Sequence, residues 1–247
     1  MESFRLAFQH AGPHGVLVAF HIPDSPDPVP AEVLERLHPA EAELAREHRG
    51  YRQGQFVGGR LALRRACEQL GEQPPAILST PRGAPIVGDR LVGSVSHKRN
   101  LAVGMAARPN DGSLGVDIED YRPMRLSIQD SILRPEEVER IAHLPDERRW
   151  IALMLSFSLK ESIYKALDPY VQRYIGFHEA SVDLDLQGRA DVTMHLTKGE
   201  GPFWVDARFA WLHGRVVSTV RARPADAPHP DPSDDGHDAP SAPPAAE

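Results

Sequence analysis

The chain has 247 residues, 41% hydrophobic and 26% charged, which suffices for one large or two small cored domains and excludes disorder along its whole length. Its longest apolar runs, such as 16–20 and 150–155, are five and six residues long, against the roughly 20 a membrane helix needs. MESFRLAFQH lacks the basic-then-apolar pattern of a secretory signal, so neither a membrane span nor export is expected. The formal charge of −7 resides mostly in residues 224–247; the remainder carries 28 basic against 29 acidic side chains, so no nucleic-acid-binding face is expected.

In chain order, HGVLVAFHI (14–22) alternates Val16, Val18 and Phe20 on one face and predicts a half-buried strand, followed by a Pro/Asp-rich loop at 23–30. Residues 31–70, rich in Ala, Leu, Glu and Arg, predict two helices broken at Gly50, with Phe56, Leu63, Cys67 and Leu70 at helical spacings. Cys67 is the single cysteine, which excludes an internal disulfide or a cysteine-cluster metal site and fits a reducing, cytoplasmic setting. A Pro/Gly-rich connection at 71–90 leads to LVGSVSH and LAVGMAA, a predicted hairpin around KRN.

Asp111-Gly112 signals a turn before a further strand, LGVDIE. Residues 133–168 read as helical, with Pro135 early and Glu136 and Glu137 behind it. The stretches 179–186, 190–197, 203–211 and 215–222 read as strands of a second sheet. Strand, helices, strands, twice over, predict an α+β fold in two similar halves, 1–110 and 111–223. The rest, 224–247, has seven prolines and no Val, Ile, Leu, Met or aromatic residue, and reads as a disordered tail in which His229 and His237 are simply solvated.

Four clusters carry chemistry. Asp117 and Glu119 in GVDIED are two residues apart on a strand and project from one face, while Val116 and Ile118 turn inward. Such a pair suits a hard cation like Mg²⁺, which takes one or two carboxylates and completes its shell with water and phosphate; a solvated strand edge is the plainer account of a bare D-x-E. In FSLKESIYKAL (157–167), Glu161 and Lys165 share a helix face, Lys160 stands beside Glu161, and Phe157, Ile163 and Leu167 form the buried side. A surface ion pair is the plainer account of that segment. Ser96, His97 and Lys98 end a strand in a tight turn suited to a phosphate oxygen or to nothing more than a polar hairpin tip. A nucleophilic Ser–His pair is disfavoured because no G-x-S-x-G elbow accompanies it. Arg52 and Arg60, in YRQGQFVGGRLALRR, lie about 12 Å apart along a helix and about 80° apart around it, so they can grip different parts of one polyanion or be separately solvated. Arg82, in PRGAP, precedes the hairpin.

Taken in order, these segments resemble the 4′-phosphopantetheinyl transferase superfamily over most of residues 40–185. The family's strand motif G-[IV]-D-[IV]-E matches Gly115-Val116-Asp117-Ile118-Glu119. Its helix motif [FW]-S-x-K-E-[SA]-x-x-K matches Phe157-Ser158-x-Lys160-Glu161-Ser162-x-x-Lys165. The Ser96-His97 turn, the helix with Arg60 after two glycines, and DPYVQRYIGF are similar as well; where many members have a P-x-W-P-like stretch, this chain has APIVGDRLVGSVSHK.

The resemblance implies a pseudo-twofold α+β monomer of two small, mostly antiparallel sheets packed with helices, with coenzyme A in the cleft between them. It implies transfer of the 4′-phosphopantetheine arm of coenzyme A to a serine of an apo acyl or peptidyl carrier protein, with release of adenosine 3′,5′-bisphosphate. The carrier would belong to a polyketide synthase, a nonribosomal peptide synthetase or a fatty-acid synthase. Asp117, Glu119 and Glu161 would hold Mg²⁺ or Mn²⁺, and Asp117, Glu161 and Lys165 would be catalytic. Arg52, Arg60, Arg82, Ser96, His97 and Lys160 would bind coenzyme A. Arg122, Arg125, Arg134 and Arg140, between the two motifs, are expected to meet the acidic carrier. The competing expectations are a non-catalytic homologue that binds coenzyme A or a carrier protein, and a metal-dependent phosphohydrolase.

Overall fold

The computed structural model describes residues 3–121 and 125–227. Arg122 and the tail from residue 228 lie outside them.

The chain opens with an antiparallel hairpin, β1 (Leu6–Gly12) and β2 (Gly15–His21). β1 has no apolar alternation and is mostly exposed, so the sequence carried no sign of it. β2 is buried on both faces, not one. Val18 and Phe20 join the core beneath the helices, while Leu17 and Ala19 pack with Val116, Ile118 and Val217 of the second sheet. The half-buried expectation fails because this sheet is a middle layer.

Three helices follow where two were expected: α1 (Ala31–Leu34), α2 (Pro39–Glu47) and α3 (Tyr51–Gln69). Gly50, at φ +60°, makes the predicted break. The additional break lies before Pro39, where the His38 ring accepts from the Ala40 N–H and Glu41 reaches back to the His38 N–H. α3 lies across the first sheet and turns Leu63, Ala66 and Cys67 into its core. The connection at 71–90 folds into a minimal ribbon, β3 (Leu78–Ser79) with β4 (Pro85–Ile86). The predicted hairpin is β5 (Val92–Lys98) and β6 (Leu101–Ala107), and the sheet order is β1-β2-β6-β5.

β7 (Ser113–Asp120) starts the second sheet after the Asp111-Gly112 turn, with Gly112 at φ +82°. A short helix that was not expected, α4 (Gln129–Ile132), lies ahead of the predicted helical stretch 133–168, which resolves into α5 (Pro135–Ile141) and α6 (Asp146–Val171). α6 runs 26 residues and contains Pro169 near its end. Strands β8 (Ala180–Leu184), β9 (Arg189–Met194), β10 (Phe203–Leu212) and β11 (Arg215–Pro224) complete a sheet ordered β7-β11-β10-β9-β8. The edge strands β5 and β7 lie side by side, joined by the Val116 N–H donating to Ser94 Oγ at 3.1 Å. That seam brings the Ser96-His97 turn to the two carboxylates of β7.

Candidate active site

Two adjoining regions meet at the seam. The first is a cavity of about 720 Å³ whose wall includes Arg52, Phe56, Arg60, Ser79, Ser96 and His97. Four of the residues predicted for an anionic ligand, Arg52, Arg60, Ser96 and His97, therefore come together from α3 and β5. Arg60 is 4% exposed, and its guanidinium stacks 4.4 Å from the Phe56 ring centre. It donates from Nε to the Ile77 carbonyl at 2.8 Å and from Nη2 to Ser79 Oγ at 2.7 Å. Burial lowers its pKa to about 10, with the Glu41 charge acting the other way, and at neutral pH it is a cation fixed in the cavity wall.

His97 opens to solvent at the rim, yet the protein around it withholds part of its hydration. That desolvation, followed by the charges of Lys165, Lys98 and Arg52, holds its pKa below the usual histidine value. His48 lines the same cavity against Phe56, its pKa lowered first by burial and then by Arg52. Sequence reading missed His48, Phe56, Ser79 and Thr80 as wall residues. Phe56 sits at i+4 from Arg52 on α3, a helical spacing that was visible; His48, before the Gly50 break, and Ser79 and Thr80 carry no local signal.

The second region is the carboxylate cluster. Asp117, 5% exposed, accepts at Oδ1 from Ser96 Oγ at 2.8 Å and Lys165 Nζ at 3.0 Å, and at Oδ2 from Ser158 Oγ at 2.9 Å. Lys165 also donates to the Val116 carbonyl at 2.8 Å. Glu119 accepts from Lys98 Nζ at 2.5 Å. Glu161, half-buried on α6, has its pKa raised, first by loss of hydration and also by the Asp117 charge, against the pull of Lys165 and Lys98. Asp117 and Glu161 thus sense each other across β7 and α6, and Lys98, paired with Glu119, also reaches Glu161. Ser96 belongs to both regions, since it lines the cavity and holds Asp117.

Among the described residues, no three His, Cys, Asp or Glu side chains are gathered closely enough to hold an ion as they stand. The donor set nonetheless fits a hard divalent cation. It is all oxygen, is carried on one strand face and one helix, and is already balanced by positive charge supplied by Lys98 and Lys165. Two predicted residues point elsewhere. Lys160, 3% exposed, donates to Glu137 Oε2 at 2.5 Å and to the Ile132 carbonyl at 2.8 Å, away from the cavity. Arg82 donates from Nε to Asp168 Oδ1 at 2.6 Å and from Nη2 to the Tyr164 hydroxyl at 3.2 Å. Of the basic residues between the motifs, Arg125 is exposed, whereas Arg134 pairs with Glu136 and Arg140 with Asp183.

Residues 40–107, which build much of the cavity, match the 4′-phosphopantetheinyl transferase N-terminal domain, and residues 113–218, which hold the carboxylates, match the 4′-phosphopantetheinyl transferase superfamily. The chain belongs to this superfamily. It is 35% identical to 4′-phosphopantetheinyl transferase Npt of Nocardia iowensis over 176 residues, 65% of this chain and 75% of that protein. With 4′-phosphopantetheinyl transferase PptT of Mycobacterium tuberculosis it shares 31% over 189 residues, 75% and 79% of the two chains. With 4′-phosphopantetheinyl transferase Svp of Streptomyces mobaraensis it shares 33% over 177 residues, 66% and 65%. Within this transferase family the α+β fold and its antiparallel sheets are as expected. Among the described residues no helix is long and apolar enough to cross a membrane.

Proposed function

We infer that this chain transfers the 4′-phosphopantetheine arm of coenzyme A to a serine of an apo acyl or peptidyl carrier protein and releases adenosine 3′,5′-bisphosphate. The observation that carries the reading is Ser96, one side chain shared by a cation-lined cavity and a carboxylate cluster, in a chain whose two matched family regions supply one each. The non-catalytic alternative is not favoured: the relatives are named transferases, and Asp117, Glu119, Glu161 and Lys165 are all present.

In this reading the nucleotide end of coenzyme A lies in the cavity, where Arg52 and Arg60 offer positive charge and His97 a ring N–H donor to its phosphates. Asp117, Glu119 and Glu161 are the residues that would hold Mg²⁺. When bound, the ion supplies charge neutralisation at the pyrophosphate. The serine oxygen of the carrier forms a bond to the phosphorus next to pantetheine as the bond from that phosphorus to the leaving nucleotide phosphate breaks. Glu161, whose raised pKa makes it a better base than an ordinary carboxylate, accepts the serine proton. Lys165, fixed by the Val116 carbonyl and Asp117, faces the charge that develops on the transferred group.

The division near residue 110 and the pseudo-twofold relation belong to the same proposal. They are supported by a long helix laid on a glycine in each half: Leu63 of α3 over Gly104 and Ser162 of α6 over Gly115. The proposal takes the chain as a cytoplasmic monomer, since cavity and carboxylates come from a single chain and Cys67 is buried and unpaired.

The test is intact-protein mass spectrometry of an apo carrier incubated with coenzyme A, Mg²⁺ and this chain, beside its Glu161→Ala variant. A carrier mass gain of roughly 340 Da, expected from the transfer chemistry and lost in the variant, is the predicted result. No gain on any acyl or peptidyl carrier tried would overturn the reading.

A further inference from the structure

The turn between β3 and β4 supplies one wall of the cavity through Ser79, Thr80, Pro81 and Gly83. It is a tight turn: the Gly83 N–H donates to the Thr80 carbonyl at 2.9 Å, the Ala84 N–H to Thr80 Oγ1 at 3.2 Å, and Gly83 sits at φ +90°. Its base is tied to α3, because Arg60 holds the Ile77 carbonyl and Ser79 Oγ. Its tip is tied to α6, because Arg82 reaches across to Asp168 and the Tyr164 hydroxyl.

Arg82 is not among the residues that line the cavity, although both its neighbours are. Its side chain is 30% exposed against 10% for Asp168, so the carboxylate is the more enclosed partner and the one that fixes the geometry. Asp168 lies three residues beyond Lys165 on the helix that also carries Glu161. A contact between residues 86 apart in sequence therefore sets the distance between the nucleotide wall and the catalytic helix.

We propose that Asp168 is a positioning residue: by holding Arg82 it keeps the β3–β4 turn seated over the coenzyme A cavity in register with Glu161 and Lys165. This rests on the reading of that cavity as the coenzyme A site. It differs in sign from the alternative in which Arg82 itself grips coenzyme A. If Arg82 were a ligand, removing the Asp168 charge would free it, and coenzyme A would bind as well or better. If the pair is a clasp, loss of either partner loosens the same wall, and losing both does no further harm.

The experiment measures KM for coenzyme A and kcat with a saturating carrier for the wild type, Asp168→Asn, Arg82→Gln, the double variant and Asp168→Glu. Calorimetric titration of coenzyme A runs alongside. The clasp predicts that Asp168→Asn and Arg82→Gln each raise KM by about fivefold, the scale of one partly exposed ion pair, with kcat little changed. The double variant should match the single ones, and Asp168→Glu, which keeps the charge should the Asn protein fold poorly, should retain a KM near that of the wild type. An unchanged or lowered KM in Asp168→Asn with a raised KM in Arg82→Gln, or additive effects in the double variant, overturns the clasp and leaves the cavity assignment standing. No heat of coenzyme A binding by the wild type overturns both.

Discussion

Gly115 lies directly beneath the Ser162 carbonyl of α6, and a Cβ added to Gly115 would stand 1.9 Å from that oxygen and 2.8 Å from its carbon. The first residue of the G-V-D-I-E strand is thus a packing requirement: only with a bare Cα can α6 come close enough for Ser158 and Lys165 to reach Asp117. Gly115→Ala should therefore lower stability by about 2–3 kcal/mol, the scale of an overpacked core site, and lower transferase activity as well. Urea unfolding and the carrier assay check the two effects. A Gly115→Ala protein of wild-type stability would refute this account of the helix–strand contact.

Lys160 and Lys165 stand five residues apart on the same helix and should fail in different ways. Lys160 is paired with Glu137 where both side chains are almost wholly buried, and its removal leaves the Glu137 carboxylate without its charge partner. Lys160→Met should cost about 3–5 kcal/mol of stability while leaving KM for coenzyme A unchanged in the protein that remains folded. Lys165→Met, at a side chain 24% exposed, should abolish most turnover at modest cost in stability. Thermal melts together with steady-state kinetics separate the two; a raised KM in Lys160→Met would return Lys160 to the coenzyme A site.

These two lysines also mark what was legible in the sequence. Strand periodicity places Asp117 and Glu119 together, and the i, i+4 rule places Glu161 with Lys165, because both relations are local. Adjacency in sequence puts Lys160 beside Glu161, but one helical step rotates it by about 100°, and here that turns it toward α5. Nothing near Arg82 announces Asp168, and nothing near Ser96 announces that its hydroxyl serves Asp117 on a neighbouring strand. β1 escaped notice because its side chains are mostly exposed. The strands of the second sheet were legible because turn residues bound each apolar run.

Lys98 offers a sharper test of the metal reading. Its ammonium donates to Glu119 at 2.5 Å, and its charge reaches Glu161, so it competes with any divalent cation for the same carboxylates. Lys98→Met should bind Mn²⁺ more tightly, by about fivefold if the lost repulsion is near 1 kcal/mol. Titration of the protein alone with Mn²⁺, followed by electron paramagnetic resonance, reads this without turnover. Equal or weaker Mn²⁺ binding by Lys98→Met would count against the carboxylates as the metal site.

Glu161 should show the cost of holding a charged carboxylate in a half-buried place. Its pKa is raised above the ordinary value of 4.5, chiefly by loss of hydration, so the folded protein binds that proton more tightly than the unfolded chain does. Its favourable contribution is full below 4.5 and is lost as pH rises through the higher folded value, which leaves the ionised group destabilising at neutral pH. Glu161→Gln keeps the shape and removes the charge. It should abolish transfer to the carrier yet raise Tm at pH 7 by about 2 °C, and the advantage should shrink to nothing below about pH 4.5, where the native side chain is itself neutral. Melting curves of both proteins across that range check it. A Glu161→Gln protein less stable than the native one at pH 7 would mean that the Lys165 and Lys98 charges outweigh burial at this site.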